Sequence, residues 1–145
     1  MGAVHVNAAR DWIGTPYHHQ MSVKGVGCDC LGLIRGVWRA TVGAEPETVP
    51  AYTSDWSECS KVERLQDAAL RHFDQTDVDL NRAGDVLLFR MKKGLVAKHL
   101  GILSGTAQHP KMIHAISGRA TAEVTLTPQW QSRIVAQFSF PDRRH

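Results

Sequence analysis

At 145 residues with 43% hydrophobic content, the chain has the length of one domain, 1–145, and enough apolar residues for a real core. Its formal charge of +3 and pI of about 8.9 come from scattered basic residues, gathered only at Arg143-Arg144, and this balance does not argue for nucleic acid as a partner. No apolar run approaches the length of a membrane helix, and MGAVHVNAARDW lacks the charged start and apolar stretch of a signal peptide, so synthesis and folding in the cytoplasm are expected.

Three cysteines, an odd number, fit reduced thiols better than a disulfide framework. Met1-Gly2 opens like a myristoylation site, but position 6 is Val6, where that motif requires Ser or Thr. Val4 to Ile13 predicts a short helix with Val4, Ala8, Trp12 and Ile13 on one side, ending at Gly14 before Thr15-Pro16. Tyr17-His18-His19 comes after the proline. Adjacent side chains in extended backbone point to opposite sides, so His18 and His19 read as exposed loop residues rather than two ligands of one ion. Lys24-Gly25-Val26-Gly27 is a flexible approach that lets the Tyr17 region fold back over Cys30.

From Gly27 to Trp38 the chain reads GCDCLGLIRGVW. Asp29 is a good N-cap, and Leu31, Ile34, Val37 and Trp38 recur at helical spacing up to Gly43. Cys30 therefore falls in the first turn of a helix. Unpaired N–H groups and the positive end of the helix dipole favour a thiolate there, so the sequence predicts a cysteine more easily ionised than a free one. The competing reading is a small buried hydrophobe, the ordinary condition of free cysteines. Cys28, two residues earlier, is expected to pack.

Glu45 to Trp56 has no clear period and reads as an irregular loop. Ser60 to Glu63 has capping-box spacing, and Val62, Leu65, Ala69 and Phe73 make the apolar face of a second helix, with Cys59 a bystander just before it. From Gly84 the period becomes that of strands: Asp85–Arg90, His99–Ser104, Met112–Ile116, Glu123–Leu126 and Ile134–Phe140. Thr127-Pro128 with Trp130 adds one helical turn before the last of these. Helices first and strands after give an α+β fold whose sheet packs on the cysteine helix. His99 and His114 each sit in a short apolar run, and a cysteine at a helix start with a histidine on a later strand is a route to an activated thiol. His109, beside Pro110, reads as a turn residue.

With these residues assembled, the chain resembles an NlpC-family cysteine peptidase, one of the papain-like cell-wall hydrolases. GTPY at Gly14–Tyr17, DCLGL at Asp29–Leu33, GDVLLF at Gly84–Phe89, HLGIL at His99–Leu103 and IHA at Ile113–Ala115 carry the resemblance. GVGCDCLGLIRGVWR, TSDW and AKHLGIL are similar to the branch encoded in tail-gene clusters of bacteriophages and of gene transfer agents. The resemblance implies N-terminal helices on an antiparallel β-sheet and a thiol protease without cofactor or metal. Cys30 would be the nucleophile, His99 the general base and His114 the polar residue that orients it. On the substrate side it places Tyr17 beside the thiolate and Asp29 at the substrate's free amino end. Where the family usually has Ser after the cysteine, this chain has Leu31, which removes a hydroxyl from the substrate side.

The implied substrate is the peptidoglycan stem peptide, cleaved at a peptide or isopeptide bond, with tail tip or hub proteins as carriers into the target cell envelope. Two other classes compete: a tail-tip docking module with a peptidase fold and little activity, whose mark would be a broken triad, and a zinc domain built from Cys28, Cys30, His99 and His114. The Cys-x-Cys spacing is tighter than zinc sites usually show.

Overall fold

The computed structural model describes residues 2–46, 71–91 and 99–141. The second predicted helix before Arg71, most of the Glu45–Trp56 loop, Cys59 and Arg143-Arg144 lie outside the described residues. Helix α1 (Ala3–Arg10) is followed by two short strands, β1 (Ser22–Val23) and β2 (Gly27–Cys28), and by helix α2 (Cys30–Thr41). Strands β3 (Asp74–Thr76), β4 (Val86–Phe89), β5 (His99–Gly105), β6 (Pro110–His114) and β7 (Ala122–Thr125) lead to a single helical turn, α3 (Pro128–Gln131), and to β8 (Ile134–Ser139). Among the described residues no helix is long and apolar enough to cross a membrane.

Six strands form one antiparallel sheet in the order β3-β8-β4-β5-β6-β7. The five strands expected after Gly84 are present, each within two residues of its predicted ends. The alternation of side chains divides them between two apolar layers. Val86, Leu88, Leu100, Ile102, Ile113 and Phe138 face Leu33, Ile34 and Val37 of α2 together with Val6 and Ala9 of α1. On the opposite face Leu87, Phe89, Leu103 and Met112 pack with Leu126 and Trp130.

Helix α2 forms as its sequence dictates. Asp29 Oδ1 accepts the Gly32 N–H at 2.7 Å. At the other end Val42 and Gly43 both donate to the Trp38 carbonyl, and Gly43 takes the positive φ that ends the helix. Helix α1 departs from expectation: it buries Val6 and Ala9 and leaves Val4 and Ile13 exposed. Trp12, just beyond the helix, sets this rotation, because its ring lies against Gly36 of α2, where any Cβ would sit inside the indole's van der Waals envelope. Gly36→Ala is therefore expected to destabilise the fold by about 1–3 kcal/mol despite alanine's better helix propensity. Thermal unfolding checks this, and a variant as stable as wild type would show that α1 does not need this close approach.

The predicted flexible approach to the cysteine is instead a hairpin. Ser22 pairs with Cys28 and Val23 with Gly27, and Gly25 adopts φ +79° at the turn. Strand β3 also appears where the sequence predicts the end of a helix: Arg71 and His72 are helical, and Asp74–Thr76 pairs with the far end of β8.

Candidate active site

Cys30 begins α2, and three pieces of chain are tied around it. The Tyr17 segment is bound to the strand before the helix: Cys28 donates to the Pro16 carbonyl and accepts from the His18 N–H, each at 3.0 Å. Gly14 and Thr15 exchange backbone hydrogen bonds with Thr121 at 2.8 Å, which anchors the same segment to the loop after β6. Ser22 Oγ donates to the Gly32 carbonyl at 2.6 Å, fixing β1 to the first turn of α2. The backbone thus folds Tyr17 back toward Cys30, and the pKa of the half-buried Tyr17 hydroxyl is pushed up to about 12 by burial, then by the charges of Asp29, Cys30 and Cys28.

The Asp29 carboxylate is 3% exposed. Besides capping Gly32, its Oδ2 accepts the Gln20 N–H at 2.8 Å, and His19 Nδ1 lies 3.8 Å away. Its two oxygens hold the loop and the helix start together. The carboxylate also acts on the Cys30 thiol. Cys30 retains some solvent exposure, yet burial, followed by the Asp29 charge, pushes the pKa of its thiol up to about 12, against opposing hydrogen bonds from the backbone N–H groups of Leu100, Leu31 and Cys30. This reverses the expectation of an easily ionised cysteine: the helix start supplies donors, but desolvation and an adjacent anion outweigh them. The resting sulfur carries its proton. Thiolate absorbance should accordingly show no step attributable to Cys30 between pH 7 and pH 9 in a Cys28→Ala, Cys59→Ala background; a step in that range would contradict this electrostatic account.

The Leu100 amide links Cys30 to the histidines. Leu103 donates to the Asp85 carbonyl on the β4 side, so by alternation the Leu100 N–H points to the β6 side. Pairing of β5 with β6 begins only at Ile102–Ile113. The Leu100 N–H therefore opens into the gap where the two strands part, and there it meets the Cys30 sulfur.

His99, one residue before Leu100, and His114, at the end of β6, both fall on the sheet face opposite α2. Each is 6% exposed, and His99 Nε2 lies 2.9 Å from His114 Nδ1. Burial, and then the Arg119 charge, lowers the His114 pKa from its ordinary value, so this ring is neutral at pH 7 and its Nδ1 can accept a hydrogen bond from His99 Nε2–H. With Nε2 donating, the His99 proton sits on that nitrogen and Nδ1 carries the lone pair.

The structure therefore brings together Cys30, Tyr17 and Asp29 on the helix side and His99 with His114 on the other. The two groups meet at the His99–Leu100 peptide. Cys28 is turned into the core with its sulfur 3.3 Å from the Thr121 hydroxyl, and among the described residues no three His, Cys, Asp or Glu side chains are gathered as metal ligands. Sequence reasoning missed Trp130, whose indole lies 5.6 Å from the His99 ring and 5.5 Å from the His114 ring. Only its place in a Thr127-capped turn is visible in the chain.

A family profile described as NlpC/P60 family matches residues 14–139. Among solved structures the chain is similar to the NlpC/p60 domain of peptidoglycan hydrolase SagA, with 24% identity over 97% of this chain and 99% of that one and a TM-score of 0.63. It is also similar to an NlpC/P60 family protein from Bacillus cereus, with 20% identity over 94% of this chain and 39% of that one and a TM-score of 0.64. A third is a Staphylococcus aureus protein described as similar to lipoprotein, NLP/P60 family, with 18% identity over 97% of this chain and 42% of that one and a TM-score of 0.58. The chain spans nearly all of the first and about two-fifths of the other two. No curated protein matches it by sequence.

Proposed function

Because the chain belongs to the NlpC/P60 family, we propose that it is a cell-wall hydrolase that cleaves the peptide stem of peptidoglycan through a Cys30 thioester. The observation that carries this reading is the Leu100 amide at the Cys30 sulfur, one peptide unit from a histidine that is itself hydrogen-bonded to a second histidine. A buried structural cysteine needs none of this.

The reaction is set by the protonation states. His99 Nδ1 takes the Cys30 proton as the sulfur attacks the carbonyl carbon, while His99 Nε2–H donates to the neutral His114 and the pair shares the charge. The carbonyl oxygen becomes an oxyanion. The N–H groups of Cys30 and Leu31, which point at the sulfur in the resting state, are placed to receive it. Collapse of the tetrahedral intermediate breaks the C–N bond, and the imidazolium protonates the departing amine. Water, activated by His99, then hydrolyses the thioester and restores the thiol. A thiol whose pKa lies well above 7 makes this a general-base route, in which the proton leaves during attack rather than before it.

The bond favoured by the sequence resemblance is the isopeptide between D-glutamate and a diamino acid; an amidase cutting between sugar and peptide would use the same groups. Delivery on a phage-type tail, through contacts with tip or hub proteins, is the reading supported by the GVGCDCLGLIRGVWR wording, and mass spectrometry of purified tail particles tests it: the chain is present at fixed stoichiometry or the reading fails. For the chemistry, digestion of purified peptidoglycan with mass spectrometry of the products is expected to release stem-peptide fragments whose termini name the bond. Intact sacculi after prolonged incubation with folded protein, and no cleavage of isolated muropeptides, would instead favour the docking-module reading.

A further inference from the structure

Two imidazoles joined by one hydrogen bond are not fixed by it. The χ2 torsion of histidine is broad and roughly two-fold, so either ring can turn over and present carbon where nitrogen is needed. A rigid flat side chain packed against both rings restrains them further.

Helix α3 supplies it. Thr127 caps the turn through the Trp130 N–H at 3.2 Å, Pro128 sets its first dihedral, and Gln131 Nε2 donates to the Leu126 carbonyl at 2.9 Å. The segment is tied to the end of β4 by the Arg90 N–H, which donates to the Arg133 carbonyl at 2.9 Å. This fixed turn sets the Trp130 indole against the His99 ring at an interplanar angle of 31° and edge-on to the His114 ring at 86°. Phe89 backs it: its ring centroid lies 5.2 Å from Trp130 and 5.8 Å from His99. The Arg133 guanidinium lies over the indole at 5.6 Å. Among the described aromatic rings, Trp130 alone contacts both histidines.

We infer that Trp130 is a positioning residue of the His99–His114 pair, touching no reacting atom but holding both imidazoles in the orientation in which His99 Nε2 meets His114 Nδ1. The indole packed against the His99 ring resists its turning, and its contact with His114 resists that ring swinging off the shared hydrogen bond. The kinetic part of this inference rests on the hydrolase reading above; the structural part does not.

The test is ¹⁵N imidazole NMR at fixed neutral pH on wild type, Trp130→Ala and Trp130→Phe, run beside peptidoglycan kinetics. Wild type and Trp130→Phe should each show one locked tautomer for His99 and for His114. In Trp130→Ala the nitrogen shifts should move to exchange-averaged values, while kcat falls about tenfold to a hundredfold with KM within about twofold, and Trp130→Phe should recover most of that loss. Locked tautomers in Trp130→Ala would overturn the inference, whatever happens to thermal stability. A raised KM with unchanged kcat would also overturn it and make Trp130 a substrate-facing wall. Should Trp130→Ala fail to fold, Trp130→Leu, which fills the apolar cluster without a flat face, is read by the same criteria. If wild type hydrolyses nothing but its tautomers depend on Trp130 as expected, the hydrolase reading falls and the positioning role stands.

Discussion

Cys30→Ala is expected to abolish peptidoglycan hydrolysis, with kcat falling on the order of 10⁴-fold or more, while leaving the fold intact. The size of the loss reflects removal of the sulfur toward which the Leu100, Leu31 and Cys30 amides point. The fold should survive because the side chain is small and partly exposed, and because the helix start is held by Asp29 and Ser22 rather than by the sulfur. Replacement also removes a thiol that burial and Asp29 hold in its protonated form, so no buried charge is left uncompensated. Cys30→Ser should be nearly as inactive, since a hydroxyl is harder still for His99 to deprotonate. Rates measured on soluble muropeptides, with circular dichroism to verify folding, check both variants.

The second large effect belongs to the histidine pair, and its two members should differ. In the proposed mechanism His99 is the base that serves the sulfur, so His99→Ala is expected to lower kcat about 10³-fold. His114→Ala leaves His99 in place but removes the acceptor for Nε2–H, and the expected loss is smaller, about 10²-fold. His114→Gln, which restores an acceptor oxygen, should recover part of it. The pH dependence has a defined sign. Burial and Arg119 depress the His114 pKa below its ordinary value of 6.5, so folding favours the neutral ring. The contribution of that ring to stability and activity is therefore complete above pH 6.5 and is lost as pH falls through its folded pKa. The acid limb of kcat/KM reports the pair, not either ring alone. A His114→Gln variant whose acid limb does not move would show that His114 is not part of that titration.

Those residues that reach the site through local pattern are legible in the sequence. Asp29 as N-cap, Cys30 in the first turn and Gly43 beyond the end of α2 are all written within one helix, and β4 to β8 are announced by short apolar runs between glycines and prolines. His99 and His114 stand out because each lies inside such a run. The features that escape depend on residues distant in the chain. Strand β3 is Asp-Gln-Thr, polar and without alternation, and exists only because β8 offers an edge. The α1 face can be drawn through Val4 or through Val6 with equal helical spacing, and the Trp12–Gly36 contact decides between them. Trp130 touches residues from β4, β5 and β6, none near it in sequence. The Cys30 thiol departs from its expected ionisation for a related reason: the helix dipole can be read from sequence, but burial against the sheet and the orientation of a neighbouring carboxylate cannot.

The most direct test of the mechanism is to run the digestion in hydroxylamine. A Cys30 thioester would partition between water and this stronger nucleophile, so wild type is expected to release part of the acyl fragment as its hydroxamate, in proportion to hydroxylamine, and Cys30→Ala to release none. Hydrolysis that proceeds at the wild-type rate yet yields only the free acid, at every hydroxylamine concentration, would mean that water attacks the substrate directly and that Cys30 is not the nucleophile.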